Sequence, residues 1–145
     1  MDHAPFGGLS YGCEHGVEYW RGSVVLSPFD RPFLLIVRAG RAGPSPRQVA
    51  AMTRLLANAV ALRREASGPM AELHRENGFF LSVSGAAEDR VWEHLQPGEI
   101  DVSDDTYYRD GRIAILLIFD SKLDPSFAPA IETADGVFQH ALTGT

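Results

Sequence analysis

Apolar positions along this chain follow two spacings, and the two are segregated. Strand-like stretches occupy both ends, and helix-spaced positions fill the middle. Residues 9–14 and 17–26 flank His15-Gly16. Glycine accepts positive φ there without steric cost, so the pair predicts a tight turn between two strands. Pro28 and Asp30-Arg31-Pro32 interrupt the chain. Phe33-Leu34-Leu35-Ile36-Val37 follows as a continuous apolar run, the pattern of a central strand covered on both faces. Gly40 to Pro44 make the next connection.

Ser45-Pro46 opens the strongest helix. Serine is a good N-cap, and proline is favoured at the first helical position, where its missing N–H is no loss. Val49, Met52, Leu55, Leu56, Ala59, Leu62 and Ala66 recur at helical spacing, with Arg47, Arg54, Asn58 and Glu65 on or near the opposite side. Gly68-Pro69 is expected to end or kink this helix near Ala66 or Ser67. Met70 and Leu73 then resume the spacing in a shorter helix that stops at Asn77-Gly78.

Strand spacing returns at residues 79–84, and residues 88–95 predict a short helical turn carrying Trp92. Pro97-Gly98 is a further expected break, before a short strand at 99–102. Residues 112–120 predict a second fully buried strand. Asp135-Gly136 between 130–133 and 137–142 is a hairpin signal. The order strands, helices, strands lacks regular βαβ alternation. It therefore predicts a single α+β domain over residues 1–145, an antiparallel sheet packed against one long helix, kinked or split at Gly68-Pro69, plus short helices.

Composition adds limits. At 145 residues, 45% hydrophobic and 22% charged, the chain has the make-up of one globular domain with a core. Its longest apolar runs, 33–37 and 113–119, fall far short of the ~20 residues of a membrane helix. Met1-Asp2-His3-Ala4-Pro5 has no basic stretch leading into an apolar one, and the single cysteine, Cys13, excludes an internal disulfide. Both features fit a cytoplasmic protein.

The net charge of −6 is unevenly distributed. Residues 1–40 carry four acids and three bases, 41–76 carry six arginines against three glutamates, and 77–145 carry twelve acids against four bases. An acidic chain repels a phosphate backbone, so nucleic-acid binding is not expected. The arginines of 41–76, interleaved with glutamates, read as the solvated side of a helix.

Candidate chemistry is sparse. His3, His15, His74, His94 and His140 show no zinc-like spacing; His74 reads as a surface residue and His140 as half-buried. Cys13 and His15 share a strand face with nothing to orient the histidine, so Cys13 reads as a small buried residue of an edge strand. Gly40-Arg41-Ala42-Gly43 matches neither glycine-rich phosphate-loop pattern. The acids Glu99, Asp101, Asp104, Asp105, Asp110, Asp120 and Asp124 admit three readings: hard-cation ligands, an acid–base pair, or a solvated acidic loop, which becomes a partner-binding surface where the partner is basic. Their spacing is not that of an EF-hand loop. Tyr107-Tyr108 beside Asp104-Asp105 favours the partner surface, because tyrosine among acids is a frequent binding mixture and acids steer basic partners.

Tyr19-Trp20-Arg21-Gly22-Ser23-Val24-Val25-Leu26, the run 33–37, Pro44-Ser45-Pro46-Arg47-Gln48, Leu55-Leu56-Ala57-Asn58, Asp104-Asp105 ahead of 112–120, and the Asp135-Gly136 hairpin form one ordered pattern. Over residues 17–140 it resembles a bacterial family of small, uncharacterised immunity-like domains found near polymorphic toxins. The family's segment ending in Glu-His-Gly is replaced here by Phe119-Asp120-Ser121-Lys122-Leu123-Asp124-Pro125, so no site is carried over at that place. The resemblance implies an α+β fold and a non-enzymatic immunity protein without a cofactor. Its expected partner is a cognate protein toxin, such as a basic nuclease domain, met through Asp101, Asp104, Asp105, Tyr107 and Tyr108. The alternatives are a small carboxylate-based metal-binding protein or hydrolase, and a regulatory or structural module that self-associates through the edge strand at 9–14. The expected solution state is a monomer or weak homodimer.

Overall fold

A computed structural model of the chain describes residues 2–79 and 90–143. Strands β1 (Asp2–His3) and β2 (Gly7–Gly8) form a small hairpin. β3 (Ser10–Glu14), β4 (Val17–Val25) and β5 (Pro32–Val37) follow as an antiparallel meander. Helices α1 (Pro46–Ala57) and α2 (Ala59–Glu76) come next. A 3-10 turn at Val91–His94 leads into β6 (Leu95–Val102), β7 (Ala114–Ser121), β8 (Ala130–Ala134) and β9 (Val137–Leu142).

Among the described residues the main sheet has seven strands, in the order β3-β4-β5-β6-β7-β8-β9. All neighbours are antiparallel except β5 and β6, which run parallel. A parallel neighbour needs a crossover, and the helices lie within it. The fold is α+β, as the order of patterns predicts.

Both tight hairpins form as expected. His15 and Gly16 have φ of 52° and 79°, and Asp135 and Gly136 have 50° and 84°. These paired positive values match the twist of the flanking strands.

The helical segment divides at a different place from the one expected. Ser45 accepts from the Gln48 amide at 3.2 Å while the Gln48 side chain accepts from the Ser45 amide at 2.9 Å, a complete capping box. The helix then breaks at Asn58, with φ −114° and ψ 18°. There the Asn58 amide side chain donates to Arg54 O at 3.0 Å, competing for a helix carbonyl. Gly68-Pro69 lies inside α2 and stops nothing. An interior proline costs about 3 kcal/mol. Burial of Leu62 and Met70, at about 1.5–3 kcal/mol each, with Ala66 and Ala71, exceeds that cost. α2 ends at Asn77, ahead of Gly78 with φ 85°, as expected.

One hydrophobic core unites these helices with the sheet: Trp20, Phe33, Leu35, Val37, Ile100, Val102, Ile115, Leu117 and Phe119 meet Met52, Leu55, Leu62, Ala66 and Met70. Three single-residue expectations are corrected. His74 is fully buried, with Nδ1 2.7 Å from Met70 O and its ring 4.9 Å from that of Phe127. Cys13 is exposed, because β3 is an outer strand of the sheet. His140 is exposed on β9. The expected break at Pro97-Gly98 is a bulge within β6. The strand expected at 79–84 lies, after Phe79, outside the described residues.

Candidate functional site

Strand alternation sorts the sheet into a core face and an open one. On β5, Phe33, Leu35 and Val37 are buried while Leu34 and Ile36 are half-buried, so the apolar run is covered fully on one face only. The pairing carries this alternation across the sheet. Arg21, Ile36, Asp101, Leu116, Glu132 and His140 stand opposite one another in a single row, and Ser23, Leu34, Glu99, Ile118, Ala130 and Leu142 form the next. Half-buried aliphatics are thus interleaved with Glu99, Asp101 and Glu132.

A recess of about 610 Å³ opens on this face beyond the carboxyl ends of β5 and β6. Ala114 and Leu116 contribute apolar lining, Arg38, Asp101 and Asp104 bring charge, and Val17 and Tyr107 are half-exposed at 50% and 49%. Gln48 fixes the strand ends, its side-chain amide donating to Arg38 O and Ser103 O at 2.8 Å each. The α1 capping box therefore also anchors the end of the recess.

Residues 103–113 connect β6 to β7: Tyr107 and Tyr108 fold against the open face, and Gly111 returns to Arg47 of α1. Glu132, with only 9% of its side chain exposed, accepts from the Tyr107 hydroxyl at 3.1 Å and the Tyr108 hydroxyl at 2.5 Å, and His140 Nε2 lies 3.7 Å away. Burial, then the bond to Glu132, pushes both tyrosine hydroxyls above their ordinary pKa. Both hydroxyls are held inward. What Tyr107 offers outward is ring surface.

The five expected partner residues share one stretch of chain but differ in availability. Asp104 Oδ1 accepts from the Thr106 amide at 2.9 Å and from its hydroxyl at 2.5 Å, closing a local turn. Asp105 is exposed, and Tyr108 lies beneath the Arg112 guanidinium at 4.7 Å from its ring centre. Asp101 lines the recess with its side chain 24% exposed; Arg38 Nε is 3.4 Å from Oδ1, yet that oxygen is buried without a hydrogen-bond partner among the described residues. One row away, Glu99 is pushed above the usual carboxylate range, first by burial and then by Asp101, with Arg38 and Arg21 opposing. Of the charged side chains that line the recess among the described residues, Glu18, Asp101 and Asp104 are acids and Arg38 is the one base.

The remaining acids do not converge on it. Asp110 pairs with Arg112 at 2.9 Å, Asp124 accepts from Ser126, and Asp120 sits exposed on β7. Among the described residues no three His, Cys, Asp or Glu side chains are grouped to hold a metal ion. Sequence reasoning overlooked Arg38, Val17, Leu116 and Glu132. Only Glu132 carried a signal: an acid inside Ala130-Ile131-Glu132-Thr133-Ala134 must find donors when that strand is buried.

No family model matches the chain, and neither a curated protein nor a solved structure does.

Proposed function

We propose that this chain is a binding protein that neutralises a basic protein partner, in the manner of a bacterial immunity protein and its cognate toxin, through the open sheet face and residues 103–113. The observation that carries the reading is the recess itself. It gathers the carboxylates of Glu18, Asp101 and Asp104, against the base Arg38, with the exposed apolar surfaces of Val17 and Tyr107. An arginine or lysine of a partner meets the exposed part of these carboxylates there, while Val17 and the Tyr107 ring cover its aliphatic stem. Exposed Asp105 and the net charge of −6 favour rapid association with a basic surface. Metal binding has less support, because Asp104, Asp110 and Asp124 are already engaged by neighbouring donors.

The test compares capture from the native bacterial host by the wild-type chain, by Asp101→Asn/Tyr107→Ala, and by Val60→Asp on the exposed side of α2. A stoichiometric basic protein that is lost with rising salt and with the recess variant, retained by the α2 variant, and toxic when expressed alone supports the reading. Equal retention by the recess variant sinks it.

A further inference from the structure

A second recess, of about 420 Å³, lies between α1 and the turns at Gly111 and Asp135, and shares no lining residue with the first. Arg47, Arg54 and Arg112 surround it, with Asp110 and Asp135 at its side and Ala50 and Ala51 between the two helical arginines. In a chain of net charge −6 this is an unusual concentration of guanidinium groups. From the sequence, the arginines of 41–76 are expected on the solvated side of a helix, interleaved with glutamates. The break at Asn58 changes that, because α1 contains no acidic residue and Glu65, Glu72 and Glu76 all belong to α2.

Two of the arginines are already positioned. Arg47 Nη1 donates to Gly111 O at 2.9 Å, and a Cβ at Gly111 would lie 2.5 Å from that same nitrogen. Glycine, with φ 83°, lets the guanidinium lie against the turn. Arg112 Nε bonds both oxygens of Asp110, at 3.1 and 2.9 Å, which neutralises that pair. Asp135 is oriented by the Ile113 amide, which donates to Oδ1 at 2.9 Å. Three charges are left without an ion-pair partner among the described residues: Arg47, whose partner is a neutral carbonyl, Arg54, and Asp135, so the balance of the recess is positive. Seven residues apart, Arg47 and Arg54 lie on one side of α1, roughly 10.5 Å along its axis, with small side chains between.

We infer that this recess is a site for a small phosphorylated molecule, held by Arg47 and Arg54. Guanidinium forks match phosphate oxygens in geometry and charge. Asp135 at the side disfavours a continuous polyanion such as nucleic acid, and it can accept hydrogen bonds from ligand hydroxyls.

The test is a titration of the full chain with inorganic phosphate and with pyrophosphate at constant ionic strength, followed through backbone amide resonances. Shifts at Ala50, Ala51, Gly111 and Asp135, with affinity at least tenfold weaker in Arg47→Gln/Arg54→Gln, are expected. Both side chains are exposed, so the variant's own spectrum verifies its fold. No shifts at millimolar pyrophosphate, unchanged affinity in the double variant, or tighter binding of a short oligonucleotide than of pyrophosphate would each overturn the inference.

Discussion

Tyr108→Phe removes one oxygen atom and tests whether residues 103–113 are latched to the sheet. The hydroxyl donates at 2.5 Å to Glu132, whose carboxylate is nine-tenths buried. A hydrogen bond to a charged, poorly solvated acceptor contributes about 1.5–3 kcal/mol, and its loss leaves Glu132 with the Tyr107 hydroxyl and a distant His140. Tyr107 is half-exposed, so its own bond contributes less, about 0.5–1 kcal/mol. Tyr108→Phe should therefore lower unfolding stability by about 1.5–3 kcal/mol in denaturant titrations. It should also speed exchange at the Gly111 amide, which bonds Tyr108 O, on the order of 10- to 100-fold. Tyr19→Phe is the internal control. Its hydroxyl also donates to a carboxylate, Glu14 at 3.0 Å, but on the exposed surface, where the loss should be clearly smaller than that of Tyr108→Phe. The sign with pH follows from the raised pKa of Tyr108. The latch is intact below about pH 10, the ordinary tyrosine value, and weakens as pH rises towards the folded-state value. Equal losses in the two variants, or Gly111 exchange within twofold of wild type, would refute the latch.

Three further outcomes are expected. Burial holds the His74 pKa below its ordinary value, so its contribution is complete above about pH 6.5 and declines below it, by up to about 1.4 kcal/mol per pH unit. His74→Leu should flatten that acid limb in thermal melts, and an unchanged limb would assign it to other groups. Glu99 shows the opposite sign, because a raised carboxyl pKa favours the folded state at low pH and disfavours it once the group ionises. Glu99→Gln should gain on the order of a few tenths of a kcal/mol at pH 7, after screening, and the gain should vanish as pH falls through the raised pKa. Gly136→Ala should destabilise more than Gly16→Ala in the same denaturant assay. Both have φ near 80°, but a Cβ at Gly136 meets Ala51 O at 2.8 Å whereas one at Gly16 meets nothing within 4 Å.

Local chemistry was legible in the sequence wherever a short motif determined the backbone. His15-Gly16, Asp135-Gly136, the Ser45-Pro46 entry and the Asn77-Gly78 stop all rest on conformations that their own residues prefer. The errors arose where packing outweighed such preferences. Gly68-Pro69 is a stronger breaker than Asn58 in isolation, yet Leu62, Ala66 and Met70 are buried on the same face and carry the helix through it. His74 looks polar beside Glu72 and Arg75, but its place in the stripe four residues after Met70 puts it in the core. The loop bearing Asp104, Asp105, Tyr107 and Tyr108 was also visible in the sequence. Its attachment was not, because Glu132 lies 24 residues beyond Tyr108 and the pairing of β7 with β8 alone brings the two together.

The open face follows from the connections. α1 and α2 occupy the single long crossover, between β5 and β6, and both pack on one side of the sheet. Two of the other links, at His15-Gly16 and Asp135-Gly136, are too short to cross over anything. The longer links place their aromatic residues on the helix side: Phe6 joins the core, Phe29 stacks with Phe33, Trp92 and Phe119, and Phe127 meets His74. Within 103–113, Tyr107 and Tyr108 turn the other way to supply the donors that Glu132 requires, and Gly111 returns to Arg47 of α1. A buried acid on β8 thus recruits Tyr107 and Tyr108, their loop becomes a wall of the recess, and Asp101 lies within it beside Arg38. Removing the Glu132 latch should therefore disorganise the recess without touching any residue that lines it. That separates a preformed binding surface from an acidic loop that merely happens to be exposed.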